Sequence, residues 1–351
     1  MLLRPSITPL LVGAVAILPW LPSSAWAQSW NPGQLRRILE LDGNGLKASD
    51  WDDVAKGKPA AVTIPTTEDQ EVALVGAIRI DSNVSCYLGM LQDIESFKSG
   101  DVVVRVKKLP AAGGEPLTAA DFAGIDLSSE DLDALENCRV GDCGVKLPKD
   151  AIARIAEVAH SSGRQAADRT FRQWLAGYVQ RYREKGDAAL VTYADHEHPV
   201  SLSGQLQAML NAIPQLKNLA PNFFAYLSGK SLDDAPHLYQ FDYWSIENYG
   251  LKPVASVTHV MIAQKDGQAI IASKQIYANH YFDGSLGLTF LENVPGPMPE
   301  SNLIYLNRSR VDVLSGWTGG LRRFFLRHRL LSGVKTNLKM VATRVKMTCG
   351  P

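Results

Sequence analysis

Apolar and polar positions divide the chain into three regimes. Residues 71–80 (EVALVGAIRI) form an apolar run between polar flanks, which predicts a buried strand. Residues 84–98 follow with Tyr87, Leu88, Leu91, Ile94 and Phe97 at helical spacing, and Ser99-Gly100 supplies a stop. Residues 101–109 (DVVVRVKKL) are strand-like again. From 110 to 229 the pattern turns helical, with helices predicted over 128–136, 150–159, 165–185, 205–213 and 222–227 and one strand at 188–193. Ser128, three residues before Asp131, makes a short-acid capping box, and Phe171, Leu175, Tyr178, Val179 and Tyr182 share one side of the longest helix. From 238 onward the chain is strand-rich, with runs at 238–247, 254–263, 269–291 and 303–313, and Lys265-Asp266-Gly267 marks a hairpin between the second and third. The third run exceeds the usual strand length of roughly 3–10 residues, so a break is expected near Asp283-Gly284. Residues 317–346 close the chain as one amphipathic helix, with Gly333 a position for a local kink.

The first 27 residues read as an export signal: Arg4, an apolar stretch over 10–21, then Ala25-Trp26-Ala27 before Gln28. The apolar stretch is short and Pro-broken against the ~20 residues a membrane span needs. An uncleaved anchor is the alternative. Cleavage near Ala27 implies a periplasmic or secreted protein. A chain 46% hydrophobic and 21% charged is ordinary for a globular protein with a real core.

Strand, helix, strand, several antiparallel strands and a long terminal helix is an order that resembles the START-like, or helix-grip, α+β fold. The resemblance is one of element order and covers roughly 71–109 and 238–346. It divides the chain into 28–109, a mainly helical insertion over 110–230, and 231–351. It implies a curved antiparallel sheet around the terminal helix, an apolar cavity between them, and binding of a lipid or other hydrophobic molecule. The strings SKQIYANHYFDGSL (273–286) and YLNRSRVD (305–312) also look like those of exported bacterial proteins of unknown function.

Charge changes this picture locally. The chain has no net charge, yet residues 109–137 carry acids and no Lys or Arg, whereas 313–351 carry Lys and Arg and no acid. The basic terminal helix could touch an anionic membrane surface transiently, or be solvated, or pair with the acidic segment. A nucleic acid is not an expected partner of an exported protein. Cys138 and Cys143 flank a Gly-Asp turn and are read most simply as a disulfide; a zinc half-site is the alternative. The sequence does not say whether Cys86 and Cys349 pair.

Candidate chemistry follows from strand parity. Ile270, Ala272, Ile276, Ala278, Phe282, Leu286, Leu288 and Phe290 fall on one face with Lys274 and His280; Ser273, Gln275, Tyr277, Asn279, Tyr281 and Asp283 fall on the other. If the apolar set faces the cavity, a ligand site is expected from Tyr243, Trp244, Glu247, Lys274, His280, Phe282, Arg308 and Arg310, with the two arginines on an anionic or hydroxylated head. The alternative is that these charges satisfy one another, with Glu247 and Asp312 as counter-charges. Tyr277 and Tyr281 are further aromatic candidates for the lining. Binding needs no chemistry; the alternatives are a hydrolase or isomerase of a lipid-like substrate with His280 as base, and an envelope assembly factor. Asp195-His196-Glu197-His198 reads as a solvated loop or a metal half-site, and no metal or cofactor is expected. No nucleophile elbow, phosphate loop or zinc-protease helix is present.

Overall fold

The computed structural model describes residues 45–229, 238–312 and 319–350; the proposed signal at 1–27 lies outside them. The chain is α+β, built on one eight-stranded antiparallel sheet. A short helix α1 (Ala48–Ala55) precedes β1 (Ala60–Ile64) and β2 (Glu71–Ile80). The stretch predicted as a single helix is two, α2 (Val84–Gln92) and α3 (Ile94–Phe97), because Asp93 caps the second by accepting from Ser96 N. β3 (Val103–Lys108) follows.

The helical segment contains α4 (Ser129–Glu136), α5 (Lys149–Ser162), α6 (Arg164–Lys185), α7 (Leu202–Asn211), α8 (Pro214–Leu219) and α9 (Pro221–Leu227). Only Thr192–Tyr193 of the strand predicted at 188–193 is a paired strand, β4, which pairs with β5 (Val200–Ser201); residues before it form a 3₁₀ turn, Gly186–Ala189. β6 (Tyr239–Glu247), β7 (Val254–Lys265), β8 (Gln268–Ala278), β9 (Phe282–Val294) and β10 (Glu300–Val311) then form a meander, and α10 (Gly319–Cys349) ends the chain. Asp266 (φ 47°) and Gly267 (φ 75°) make the tight turn between β7 and β8.

The sheet order is β1-β2-β10-β9-β8-β7-β6-β3. The run at 269–291 is therefore not one broken strand but a hairpin, whose reversal falls at Asn279-His280-Tyr281 rather than at Asp283-Gly284. Tyr281 holds a positive φ of 59° there, and its phenol accepts from Lys252 N at 3.0 Å.

Each face of the sheet has its own cover. On the inner face, Val75, Val257, Ile270, Ile276, Leu288, Phe290 and Ile304 share a core with Ile155, Phe171, Leu175, Val179, Leu206 and Met209 from α5, α6 and α7. On the outer face, Ile78, Phe241, Val260, Ile271, Leu291 and Leu303 pack against Tyr87, Leu88 and Leu91 of α2 and Leu338 and Val345 of α10. The expectation that the apolar set of β8 and β9 faces the terminal helix is thus overturned. Ile270, Ala272, Ile276, Leu286, Leu288 and Phe290 are already covered by the helical segment, and α10 runs along β1 and β2 on the opposite face, where Phe282 and Leu330 pack around Val72 and Val311. Gly76 makes that approach possible, since a Cβ there would lie 2.9 Å from both Val334 Cγ1 and Leu338 Cδ1.

Two disulfides close the fold, Cys138–Cys143 and Cys86–Cys349. Both fit an oxidising compartment. The first is the expected one. The second ties the last residue of α10 to α2 across 263 positions of sequence. Loss of such a long-range link costs about 2–5 kcal/mol. The Cys86→Ser/Cys349→Ser variant should show that loss in calorimetry relative to wild type, and an unchanged unfolding midpoint would refute the assigned role.

Candidate ligand site on the outer face of the sheet

The eight sequence-derived candidates fall on two faces and do not form one site. Lys274, Arg308, Arg310 and Trp244 lie on the inner face. Buried Lys274 pairs with Asp187 in the 3₁₀ turn; burial depresses its pKa against the opposing pull of that carboxylate. Arg308 Nε meets Glu71 Oε1 at 2.6 Å, and Arg310 donates to Gln70 Oε1 at 3.0–3.1 Å. His280, in the hairpin turn, lies 3.0 Å from Asp131 Oδ1, and both side chains are buried. Trp244 donates to Asp121 O at 2.9 Å.

The expected counter-charges are engaged elsewhere: Glu247 with Lys98, and Asp312 with Lys146 at 3.0 Å. Lys146 also meets Asp195 and Asp283, which draws one carboxylate of the Asp195-His196-Glu197-His198 segment into the interior while His196 stays exposed. Tyr277 is enclosed by Phe171, Trp174, Tyr178 and Tyr193. The acidic segment pairs with Arg164, Arg172 and Lys252 rather than with the described basic residues of α10. Of those, Lys346 meets Asp81, and Arg344 donates to the carbonyls of Ser96, Phe97 and Ser99.

Tyr243, Glu247 and Phe282 belong to the outer face, where the sheet changes character along its length. Beneath α2 the cross-strand row is Ala269, Leu291, Leu303 and Ile78, wholly apolar. Two rows further along it reads Val260, Ser273, Gly287 and Asn307; the next reads Tyr243, Thr258, Gln275, Ser285 and Ser309. With strands ~4.8 Å apart, that last row spans roughly 19 Å. Ser273, Gln275, Ser285, Asn307 and nearby Tyr305 are half-buried, so this polar tract is partly covered rather than fully solvated.

Both ends of the tract are internally satisfied. At one end Glu247 accepts from Ser245 at 2.7 Å and from Tyr249 at 2.8 Å and lies 3.0 Å from Lys98 Nζ, which sits 5.7 Å from the Tyr243 ring centroid. Burial would raise the Glu247 carboxyl, but Lys98, Ser245 and Tyr249 hold it below its usual range. At the other end Ser285 and Ser309 hydroxyls meet at 2.8 Å, Ser309 donates to Asn307 Oδ1 at 2.8 Å, and Asn307 Nδ2 donates back to Ser285 at 3.3 Å. Burial pushes the Tyr305 phenol between them up to about 12, and Lys98 opposes that rise. The middle is not satisfied: Gln275 Oε1 is buried without a hydrogen-bond partner.

Beside Glu247 the rim is apolar and exposed. Val102 and Val104 at the β3 edge, and Tyr249 and Leu251 in the β6–β7 turn, are each about half exposed, and Asn248 N donates to Val102 O across the gap. Tyr249 also stands edge-on to Phe282. Sequence reasoning missed Lys98, Ser245, Thr258, Gln275, Ser285, Asn307 and Ser309. The available signal was the hydroxyl and amide residues alternating with the apolar set, such as Ser273 and Gln275. No protein-family profile matches this chain, and no curated protein is significantly similar to it in sequence.

The inner-face charges make a stability test. Asp187→Ala should cost about 3–5 kcal/mol, because it strands Lys274 in the core, and Lys274→Met in the same chain should restore most of it. Denaturant unfolding reads both; equal stability of Asp187→Ala and wild type would show the pair to be dispensable. Acid gives a second test. Burial would raise Asp242, but His259 at 2.6 Å and Arg183 at 2.7 Å hold it below the usual aspartate range. A carboxylate depressed on folding contributes stability above its unfolded pKa and loses it as pH falls through the folded value. Unfolding free energy should therefore fall below about pH 4, with a shallower acid limb in Asp242→Asn. A limb of unaltered slope in the variant would assign the acid sensitivity to other groups.

Proposed function

We propose that the protein is an exported helix-grip carrier that holds an amphipathic, lipid-like ligand on the outer face of its sheet, without chemistry of its own. The 1–27 signal and the two disulfides support export. Support for the helix-grip reading comes from the order strand, two helices, strand, five-strand meander and long terminal helix, with β2 and β10 adjacent in the sheet. The observation that carries the ligand reading is the half-buried polar tract ending at an exposed apolar rim, which offers one surface for a head group and another for a chain. The apolar cavity that the resemblance implies is replaced in this reading by a polar floor.

His280, the candidate base of a hydrolase, is committed to Asp131 inside the protein, which favours binding over turnover. Lys335, Lys339, Met340 and Met347 are exposed on α10, a mixture of charge and apolar surface suited to transient contact with an anionic leaflet during ligand exchange.

Native mass spectrometry of protein purified from the periplasm should show an additional mass of lipid size. Ser273→Leu, which places an apolar side chain beside Gly287 in the tract, should abolish that mass and leave the thermal midpoint within a few degrees. A wild-type spectrum with no additional mass, repeated after incubation with extracted envelope lipids, would reject the carrier reading.

A further inference from the structure

The outer-face tract also specifies the head group. Its central groups are those that fold formation leaves unused. Gln275 Oε1 is buried and unpartnered, and Thr258, directly opposite it in the register and only 7% exposed, has no hydrogen-bond partner among the described residues. A buried acceptor without a donor costs about 1–3 kcal/mol, and a ligand donor that met Gln275 Oε1 after a small shift of the amide would recover that cost.

The complement of these groups is a hydroxyl. The Gln275 amide accepts through Oε1 and donates through Nε2, and the Thr258 hydroxyl can donate or accept, so only the Oε1 acceptor requires a ligand proton. A ligand hydroxyl can serve both, whereas a phosphate or carboxylate has no proton for Gln275 at neutral pH. The electrostatics agree. The row Tyr243, Thr258, Gln275, Ser285 and Ser309 carries no formal charge, and Lys98 and Glu247 at its border neutralise each other at 3.0 Å. An ionic head group would lose hydration there without gaining a free counter-ion. The tract is wide enough for several hydroxyls, and the half-buried Tyr305 ring leans over Gly287 within it.

We infer that Thr258 and Gln275 form the seat of an uncharged, polyhydroxylated head group, of the kind carried by a neutral glycolipid. This assignment rests on the carrier reading and adds the ligand's chemical class to it. Isothermal titration of the mature protein with n-decyl β-D-maltoside, n-decylphosphocholine and sodium decanoate, each below its micellar concentration, separates the two claims. The maltoside should bind at least about tenfold more tightly than the other two. Gln275→Leu and Thr258→Val should each weaken maltoside binding about fivefold, leave decylphosphocholine binding unchanged, and leave or raise the thermal midpoint, since neither removes a side-chain hydrogen bond among the described residues.

Equal affinity for the three heads, or preference for a charged one, would overturn the head-group assignment while leaving the carrier reading in place. So would maltoside binding that survives both substitutions, or a marked drop in thermal midpoint in both, which would mark the two residues as structural. Failure of all three amphiphiles to bind would sink the carrier reading and this assignment together.

Discussion

Double burial of the central sheet governs this molecule. Strands β6 to β10 present alternate residues to two different layers, so every side chain on them must be accommodated by one of two environments. The inner face meets a thick helical layer that excludes water. Charged groups there are matched by partners the chain fixes in place: Asp187 for Lys274, Glu71 for Arg308, and Asp242 for Nδ1 of His259. The outer face is covered by apolar side chains of α2 along part of its length. Beyond that cover its residues become hydroxyls and amides, and freedom to contact something other than the protein itself returns.

That division explains which parts of the structure the sequence makes readable. Apolar periodicity located most strands and helices, because burial on either face demands apolar residues at period two or near 3.6. It could not say which layer covers which face, since parity is symmetric until the partner layer is known. Lys274, His280 and Arg308 stood out as charges among apolar neighbours. Their neutralising partners, Asp187, Asp131 and Glu71, are 87, 149 and 237 residues away in sequence or otherwise unmarked by spacing. Gln275 falls on the second face by parity but, like Thr258 and Ser309, is not readable as part of a site, because hydroxyl and amide residues on a strand usually face solvent. β1 and α1 are short, with little periodic signal to find.

The two disulfides act at different scales. Cys138–Cys143 clamps a small loop whose backbone docks on the Asp195-His196 segment: Gly141 N donates to Ala194 O at 2.8 Å and Cys143 N to Asp195 O at 2.9 Å. This holds Lys146 and Asp195 in register with Asp283 and Asp312, so the loop fixes a buried ionic cluster. Cys86–Cys349 fixes the far end of α10 against α2, and Arg344 capping the Ser96–Ser99 carbonyls reinforces the same junction. The last turns of the terminal helix are therefore anchored covalently as well as by packing.

Between that anchor and the start of the helix, Gly76 is the one place on β2 where Val334 and Leu338 can descend to the backbone. The hydrogen atom at that position sets the height at which a helix of 31 residues rides over the sheet. With the far end pinned by a disulfide, a bulkier residue there would press on Val334 and Leu338 and loosen the packing of the helix on β2. The smallest side chain on β2 thus sets how closely the longest helix of the protein can pack.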